Sequence, residues 1–207
     1  MQTLFGKMSP SITTMIRMDH THVMSAFHQY RVDTPARVKK GLADNICLAL
    51  EVHAQLEEEI FYPALREVSP DEALDKAKPE HDEMRGLIMR LRALQPSDPA
   101  FDSTLFELMR TVMHHVADEE TQLLPKAERL LSGQLSEMGA RMTRRRLQLV
   151  GPRSGELAGS MARSMSTGTL LAAAGAVAAA GGLLLARKTG TTSSTQSQWF
   201  NPKRWGH

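Results

Sequence analysis

Apolar residues recur at intervals of three and four along most of the first 130 residues, the pattern of helices with one buried face. No alternation of β-branched and aromatic residues long enough for a strand lies between them. Each segment begins with an N-cap residue followed by proline. The cap side chain accepts a hydrogen bond from a backbone N–H that has no partner within the helix, and proline at the first helical position costs no hydrogen bond. These pairs are Ser9-Pro10, Thr34-Pro35, Ser69-Pro70 and Asp98-Pro99. They predict helices over about 10–31, 35–66, 70–95 and 99–131.

The connections between these helices are short, so sequential helices are expected to be antiparallel. The predicted fold class is therefore all-α, an up-down-up-down four-helix bundle. Pro63, Pro79 and Pro125 fall inside or near the ends of the helices and are expected to kink or stop them. A shorter basic helix over roughly 134–148 is expected to pack on afterwards.

Charge divides the chain into two parts. Residues 1–137 carry 15 Lys and Arg against 22 Asp and Glu, a net charge of −7, whereas residues 138–207 carry 10 Lys and Arg against Glu156 alone, a net charge of +9. We predict four regions on this basis. They are the metal-binding bundle (1–135), a basic helix with a Gly/Ser-rich linker (136–168), a candidate transmembrane helix (169–187) and a polar tail (188–207).

Composition excludes several classes of protein. Aromatic residues make up only 5% of the chain and there are 13 methionines, which argues against a β-sandwich or barrel. The single cysteine, Cys47, excludes a disulfide framework and a Cys-rich zinc site, and it is expected to pack as a small apolar residue. The first residues lack the long apolar core of a secretory signal, so the folded part is expected in the cytosol.

Two matching motifs carry the candidate chemistry. His53 lies on the apolar face of the second predicted helix, and Glu57 lies one turn further along that face. His115 and Glu119 repeat the arrangement on the fourth helix, whereas the adjacent His114 falls on a charged face. Burying an unpaired carboxylate is costly, and a metal ion is a common compensator.

The first and third helices add one inward histidine each, His20 and His81, and both follow an acidic residue. The spacings agree, with 61 residues from His20 to His81 and 62 from His53 to His115, which indicates two related helical hairpins. A lone inward histidine is usually a core residue, but two His-x3-Glu pairs with two further histidines at matched spacing are hard to obtain by chance. Imidazole suits iron, zinc, copper and nickel, and carboxylates bridge ions, so we predict a two-ion site. Its predicted ligands are His20, His53, Glu57, His81, His115 and Glu119.

The other residues of metal-binding type are assigned elsewhere. The remaining histidines are expected at the surface or behind the ligands, with His28 or Tyr30 as the alternatives for lining the site. The methionines near the site are expected to fill the core. These residues are His22, His28, His114 and His207, and Met24, Met84, Met89, Met109 and Met113.

These motifs resemble the hemerythrin-like family, whose members carry the HHE cation-binding domain. The matching elements are Asp19-His20, EVHAQLEEEIFYP around His53, Glu80-His81 and HHVADEETQLLP around His115, within about residues 11–132. The resemblance implies a four-helix bundle around two non-haem irons, bridged by carboxylates and by an oxo or hydroxo group. It implies that Glu57 and Glu119 are the bridges and that the four histidines are terminal ligands.

One position departs from the family's pattern. Oxygen-carrying members have a further histidine one turn after the third-helix ligand, and here that position is Arg85. One iron is then short of a nitrogen, for which water, Glu58 or another side chain are the candidate substitutes. The expected small ligand is dioxygen, peroxide or nitric oxide. The alternatives are an oxidoreductase acting on peroxide and a non-enzymatic module that senses iron or oxygen.

The C-terminal region contains Thr169 to Ala186, eighteen residues without a charge. This length is at the lower limit for crossing a bilayer. We predict a transmembrane helix that anchors a cytoplasmic metal domain, with a flexible Ala/Gly tail or a helix that packs on a partner as alternatives. Trp199 and Trp205 suit either a membrane interface or a disordered end equally well. Nucleic acid is disfavoured, because no aromatic platform accompanies the arginines.

Overall fold

The computed structural model describes residues 10–70 and 72–165, and every regular element within them is a helix. The predicted all-α fold class is therefore confirmed over these residues. The eight α-helices are α1 (Ile12–Gln29), α2 (Ala36–Leu56), α3 (Tyr62–Val68), α4 (Glu72–Ala93), α5 (Pro99–Asp118), α6 (Leu124–Leu130), α7 (Leu135–Val150) and α8 (Ser154–Ser164). A 3-10 turn, Gly151–Arg153, joins the last two.

Two π-helical turns join pairs of these α-helices into longer continuous helices, here called rods. Glu57–Phe61 connects α2 to α3, and Glu119–Leu123 connects α5 to α6, without a break in either rod. In each turn a backbone N–H reaches back five residues, from Tyr62 to the Glu57 carbonyl and from Leu124 to the Glu119 carbonyl.

The three prolines do not stop the helices. Pro63 and Pro125 stand in the first turn of α3 and of α6, directly after a π turn, and Pro79 lies inside α4. A proline inside a helix lacks one N–H and crowds the carbonyl four residues back. At Pro63 and Pro125 the wider turn comes immediately before the ring, so the rod continues where an α-helix was expected to end.

Pairs of neighbouring rods form the two hairpins. α1 packs against α2, α4 packs against α5, and α2 also contacts α4. The buried apolar residues form two clusters, one containing Ile16, Leu56 and Leu123 and the other containing Val23, Leu50 and Val112. Each of the four inward histidines lies along its helix between residues of the first cluster and residues of the second. A polar layer therefore crosses the molecule between two apolar layers.

The C-terminal helices pack on the outside of these rods. α7 contacts α1 and α2, and α8 lies along α2. Two glycines permit this approach: a Cβ on Gly139 would lie 2.1 Å from the Pro10 carbonyl oxygen, and one on Gly41 would lie 2.4 Å from the Ser164 nitrogen. The predicted basic helix over 134–148 corresponds to α7.

The segment after α7 differs from its predicted role. Its Gly and Ser content predicted a linker, but residues 154–164 form α8. Leu157 packs against the first apolar cluster, and the Ser160 hydroxyl donates to the Asn45 side chain. Helical spacing of these contact residues outweighs the glycines, which stand where the chain meets no neighbour or only Arg163.

The predicted membrane anchor is corrected. Among the helices within 10–70 and 72–165, none is long and apolar enough to cross a bilayer. The prediction rested on residues 169–187, which lie outside the described residues together with the polar tail and its tryptophans.

Candidate metal centre

The structure brings the six predicted ligands together in the polar layer. The exposed fraction of each is 5% or less, in a chain region where most charged side chains face water. α1 places His20, α2 places His53, α4 places His81 and α5 places His115. Each glutamate is the first residue of a π turn, four positions after a histidine. The residues are His20, His53, Glu57, His81, His115 and Glu119.

The inner nitrogens surround the two glutamates. Glu57 Oε2 lies 3.1 Å from His53 Nε2 and 3.5 Å from His81 Nε2. Glu119 Oε2 lies 3.1 Å from His20 Nε2 and 3.5 Å from His115 Nε2. Each carboxylate therefore stands between one imidazole of its own hairpin and one imidazole of the other hairpin.

Ligand-type atoms fall into two overlapping groups, in each of which all atoms lie within 4.8 Å of one another. The first contains His20, His53, Glu57 and Glu119, and the second contains Glu57, His81 and His115. The imidazole rings pair in the same way, with centroids 5.0 Å apart for His20 and His53 and 4.6 Å apart for His81 and His115. Glu57 belongs to both groups, whereas Glu119 belongs to the first and has its second imidazole contact, with His115 Nε2, at 3.5 Å.

Behind each imidazole, a carboxylate from another helix faces Nδ1. Two of these contacts lie within a hairpin: Asp19 Oδ2 is 3.4 Å from His53 Nδ1, and Glu80 Oε2 is 2.8 Å from His115 Nδ1. Asp19 and Glu80 thus contact a histidine of the next helix in the hairpin, rather than the histidine that follows each of them in the sequence.

The other two contacts cross between the hairpins. Glu58 Oε1 is 3.0 Å from His81 Nδ1, and Glu120 Oε1 is 2.8 Å from His20 Nδ1. A carboxylate in this position holds the proton on Nδ1, so that Nε2 presents its lone pair to the centre. The second glutamate of each Glu-Glu pair therefore orients an imidazole of the opposite hairpin.

Tyr62 completes the polar layer, and the sequence analysis did not identify it. Its hydroxyl donates to Glu119 Oε1 at 2.8 Å and lies 3.3 Å from both Glu57 Oε2 and His81 Nε2. Tyr62 follows Glu57 by five positions, which is off the shared face of an α-helix but on it in a π turn. A signal was present, because the six-residue spacing from each glutamate to a proline recurs in both motifs.

Arg85, at the position where a further histidine was considered, is bound to two acidic side chains. It donates to Glu58 Oε1 and to Asp82 Oδ1, both at 2.8 Å. Glu58, a candidate substitute ligand, is thereby held between Arg85 and His81.

The other histidines and tyrosine are placed elsewhere. His22, His28 and His114 are exposed, and His207 lies outside the described residues. Tyr30 is buried, but its hydroxyl donates to Asp102, which Lys39 also holds. Of the two alternatives for lining the site, neither does so.

The two inner glutamates are buried close together, and their pKa values shift in opposite directions. Burial and then the charge of Glu119 raise the pKa of the Glu57 carboxyl well above its usual value. Burial would also raise the pKa of Glu119, but the charge of His115 and the hydrogen bond from His20 hold it below its usual value. Two carboxylates this close share a proton, which a divalent cation would displace.

The pKa values of the inward histidines are also shifted in opposite directions. Burial lowers the pKa of His53 and of His81, which keeps them neutral, the form that binds metals. The pKa of His20 is raised to about 9, since the hydrogen bond and charge of Glu119 overcome the effect of burial.

Four inner atoms fit a cation better than they fit one another. His53 Nε2 and Glu57 Oε1 are buried without a hydrogen-bond partner. His81 Nε2 and His115 Nε2 face each other at 3.0 Å while both Nδ1 atoms contact carboxylates. With the Nδ1 atoms protonated, two lone pairs oppose each other across that gap. Imidazole nitrogens and carboxylate oxygens are a donor set for iron or zinc, so the residues present fit a metal.

A small cavity adjoins this layer. Its volume is about 10 Å³, close to the room that one water molecule needs. All four inward imidazoles line it, and the rest of its wall is mainly apolar, with Val23, Leu50, Met84, Ile88 and Val112.

Parts of this chain are similar to known proteins. The family model of the hemerythrin HHE cation binding domain matches residues 11–127. A protein of Nostoc sp. named DNA nickase is 30% identical over 134 residues, which are 65% of this chain and 38% of that protein. The chain therefore matches well under half of that relative. The crystal structure of a hemerythrin HHE cation binding domain-containing protein from Mycobacterium kansasii has 19% identity and a TM-score of 0.61, covering 75% of this chain and 99% of its own. This last likeness shows the fold.

Proposed function

This chain belongs to the hemerythrin HHE cation-binding domain family, and we propose that it is a non-haem di-iron protein that binds or responds to dioxygen, peroxide or nitric oxide. The observation that carries the proposal is the inner donor set. Four Nε2 atoms and two carboxylates converge in a buried layer where His53 Nε2 and Glu57 Oε1 lack a hydrogen-bond partner.

The proposed ligands divide between two ions. His20 and His53 hold one iron, and His81 and His115 hold the other. Glu57 and Glu119 bridge them, an assignment supported by the position of each Oε2 between imidazoles of different hairpins. We propose a four-helix bundle of the two hairpins as the frame.

Tyr62 is proposed as the side chain that replaces the nitrogen missing at Arg85. Its hydroxyl lies on the side of the layer occupied by His81, whereas the Arg85 guanidinium is bound to Glu58. Burial, followed by the neighbouring carboxylates, raises the pKa of the Tyr62 phenol well above its usual value. Without a cation the phenol therefore stays protonated and donates a hydrogen bond to Glu119. A nearby cation would favour the phenol oxygen as a metal ligand.

The chain's own residues explain why this layer suits small ligands. When bound, a pair of irons supplies two electrons and an open position for a diatomic molecule or peroxide. The four outer carboxylates face the Nδ1 atoms, so all four Nε2 atoms are directed at the centre. The mainly apolar wall limits the access of bulk water, and a cavity of about 10 Å³ has room for a water-sized molecule but not for an organic substrate.

Two alternatives share this site. An oxidoreductase would turn peroxide over, and an iron- or oxygen-sensing module would change stability or partner binding without turnover. DNA nicking, suggested by the printed name of the Nostoc relative, is not proposed, because the match covers 38% of that protein.

Anaerobic purification with metal analysis, followed by optical spectra in air, peroxide and nitric oxide, tests the proposal. We expect two irons per chain and a spectrum that changes with at least one of these ligands. His115→Ala should abolish iron binding, whereas His114→Ala, one residue away on the exposed side, should leave it unchanged. Less than one iron per chain in the unaltered protein, or equal effects of the two variants, would contradict the proposed function.

A further inference from the structure

Arg146 on α7 reaches the polar layer through a single carboxylate. Its Nη1 lies 2.6 Å from Asp19 Oδ1 and its Nη2 lies 2.5 Å from Asp19 Oδ2. Asp19 Oδ2 in turn faces His53 Nδ1. We propose that Arg146 is a positioning residue that fixes the Asp19 carboxylate and, through it, the His53 imidazole. This inference rests on the proposed function, and it places part of the metal centre outside residues 11–127, the segment that matches the family.

His53 needs this support more than the other inward histidines. Its contact with the outer carboxylate is the longest of the four, 3.4 Å against 2.8–3.0 Å. Its inner nitrogen has no hydrogen-bond partner among the described residues. The orientation of the His53 ring therefore depends on where the Asp19 carboxylate stands.

The form of the Arg146 contact suits that task. Two parallel N–H···O bonds fix the plane of a carboxylate as well as its position. The Arg146 Nε is buried and finds no other acceptor, so all the hydrogen bonds that the structure gives this guanidinium go to Asp19. Lysine has the same charge but a single point donor, and it cannot reproduce this geometry.

The Asp19 carboxylate also borders a cavity large enough for water. A cavity of about 410 Å³ lies between α1, α2 and the C-terminal helices, and Asp19, His53 and Arg146 all line it. Without the guanidinium, Asp19 would be free to turn toward this cavity, and His53 Nδ1 would lose its acceptor.

The neighbouring residue provides a matched control. Arg145 also forms a bidentate ion pair between α7 and the rod that carries Glu57, with Nε 2.6 Å and Nη2 2.8 Å from the Glu59 oxygens. Glu59, however, contacts Gln55 and no histidine. Arg145→Gln thus removes an equivalent contact of the same helix without disturbing any carboxylate that orients an imidazole.

The test compares Arg146→Gln, Arg146→Lys and Arg145→Gln in the full-length chain. Iron affinity is measured by competition with a chelator, and the absorption spectrum of each loaded protein is recorded. We expect Arg146→Gln to bind iron about 10- to 100-fold more weakly, the usual effect of losing a group behind a ligand. Arg146→Lys should recover at most part of the loss, and Arg145→Gln should bind as the unaltered protein does.

A second measurement uses the metal-free protein. In ¹⁵N-histidine NMR spectra, Arg146→Gln should shift the His53 Nδ1 resonance or broaden it through exchange with water, and Arg145→Gln should not. A His53 signal unchanged by Arg146→Gln, or equal changes in both glutamine variants, would overturn the inference. If the unaltered protein binds no iron, the proposed function fails, while the NMR comparison still decides whether Arg146 positions His53.

Discussion

Replacing Tyr62 by phenylalanine removes one buried hydroxyl from the polar layer and leaves the ring in place. The hydroxyl donates to Glu119 Oε1 at 2.8 Å and stands 3.3 Å from Glu57 Oε2. A hydrogen bond to a charged group contributes roughly 1.5–3 kcal/mol to stability. We therefore expect the metal-free variant to unfold about 3–12 °C lower, at about 2–4 °C per kcal/mol for a chain of this length.

Tyr30→Phe is the matched control, because the chain has only these two tyrosines. Tyr30 is also buried and its hydroxyl donates to a carboxylate, Asp102, which does not contact the inward histidines. Both variants should lose stability, as calorimetry of the metal-free proteins would show. Only Tyr62→Phe should also bind iron at least about tenfold more weakly and change the visible spectrum of the loaded protein. Identical iron affinity and spectra for Tyr62→Phe and the unaltered chain would refute the role of Tyr62 at the metal.

Three further predictions concern the frame around the site. Gly139→Ala should destabilise the chain by about 1–3 kcal/mol in urea titrations, since its Cβ would meet the Pro10 carbonyl at 2.1 Å, whereas Gly86→Ala, which meets nothing within 4 Å, should be stabilising. Equal midpoints for the two alanine variants would disprove the close approach of α7. Burial raises the pKa of the Cys47 thiol to about 12, so it should resist a thiol reagent at pH 8 and react once the chain is unfolded in guanidinium; rapid labelling of the folded protein would contradict this. Burial tends to raise the pKa of Asp102, but hydrogen bonds from Lys39 and Tyr30 hold it below its usual value. A lowered pKa in the folded state stabilises the fold above the unfolded-state pKa and is lost as the pH falls through the folded value. Asp102→Asn should therefore be less stable than the unaltered chain at pH 7, and the difference should shrink below about pH 4; a difference that is constant with pH would exclude the ion pair as its cause.

Helix positions and the inward direction of four histidines could be predicted because both follow from local regularities. A 3.6-residue period determines which side chains share a face, and that face must be apolar or neutralised when it is buried. His114 and His115 illustrate the point: they are adjacent in sequence, yet the structure exposes one and buries the other, as predicted.

What could not be predicted depends on departures from that period or on contacts between distant segments. The π turn that brings Tyr62 into the layer adds one residue to a helical turn, and its only trace in the sequence is the proline that follows. The contact of Glu58 with His81 joins different hairpins, so no spacing along one helix reveals it. Arg146 lies 127 residues from Asp19, and the basic composition of its helix does not indicate which acidic residue it contacts.

The repeat of the two hairpins has a consequence for how such a centre can be assembled. α1 and α2 with the first π turn supply two imidazoles, one inner carboxylate and two outer acids, and α4 and α5 with the second π turn supply the same inventory. Since half of the outer contacts run from each half to the other, neither is self-sufficient, but either one matches a copy of itself. A peptide of about half this length, associating as a symmetric homodimer, would therefore carry four imidazoles, two inner carboxylates and four outer acids, although only the first half also supplies Tyr62.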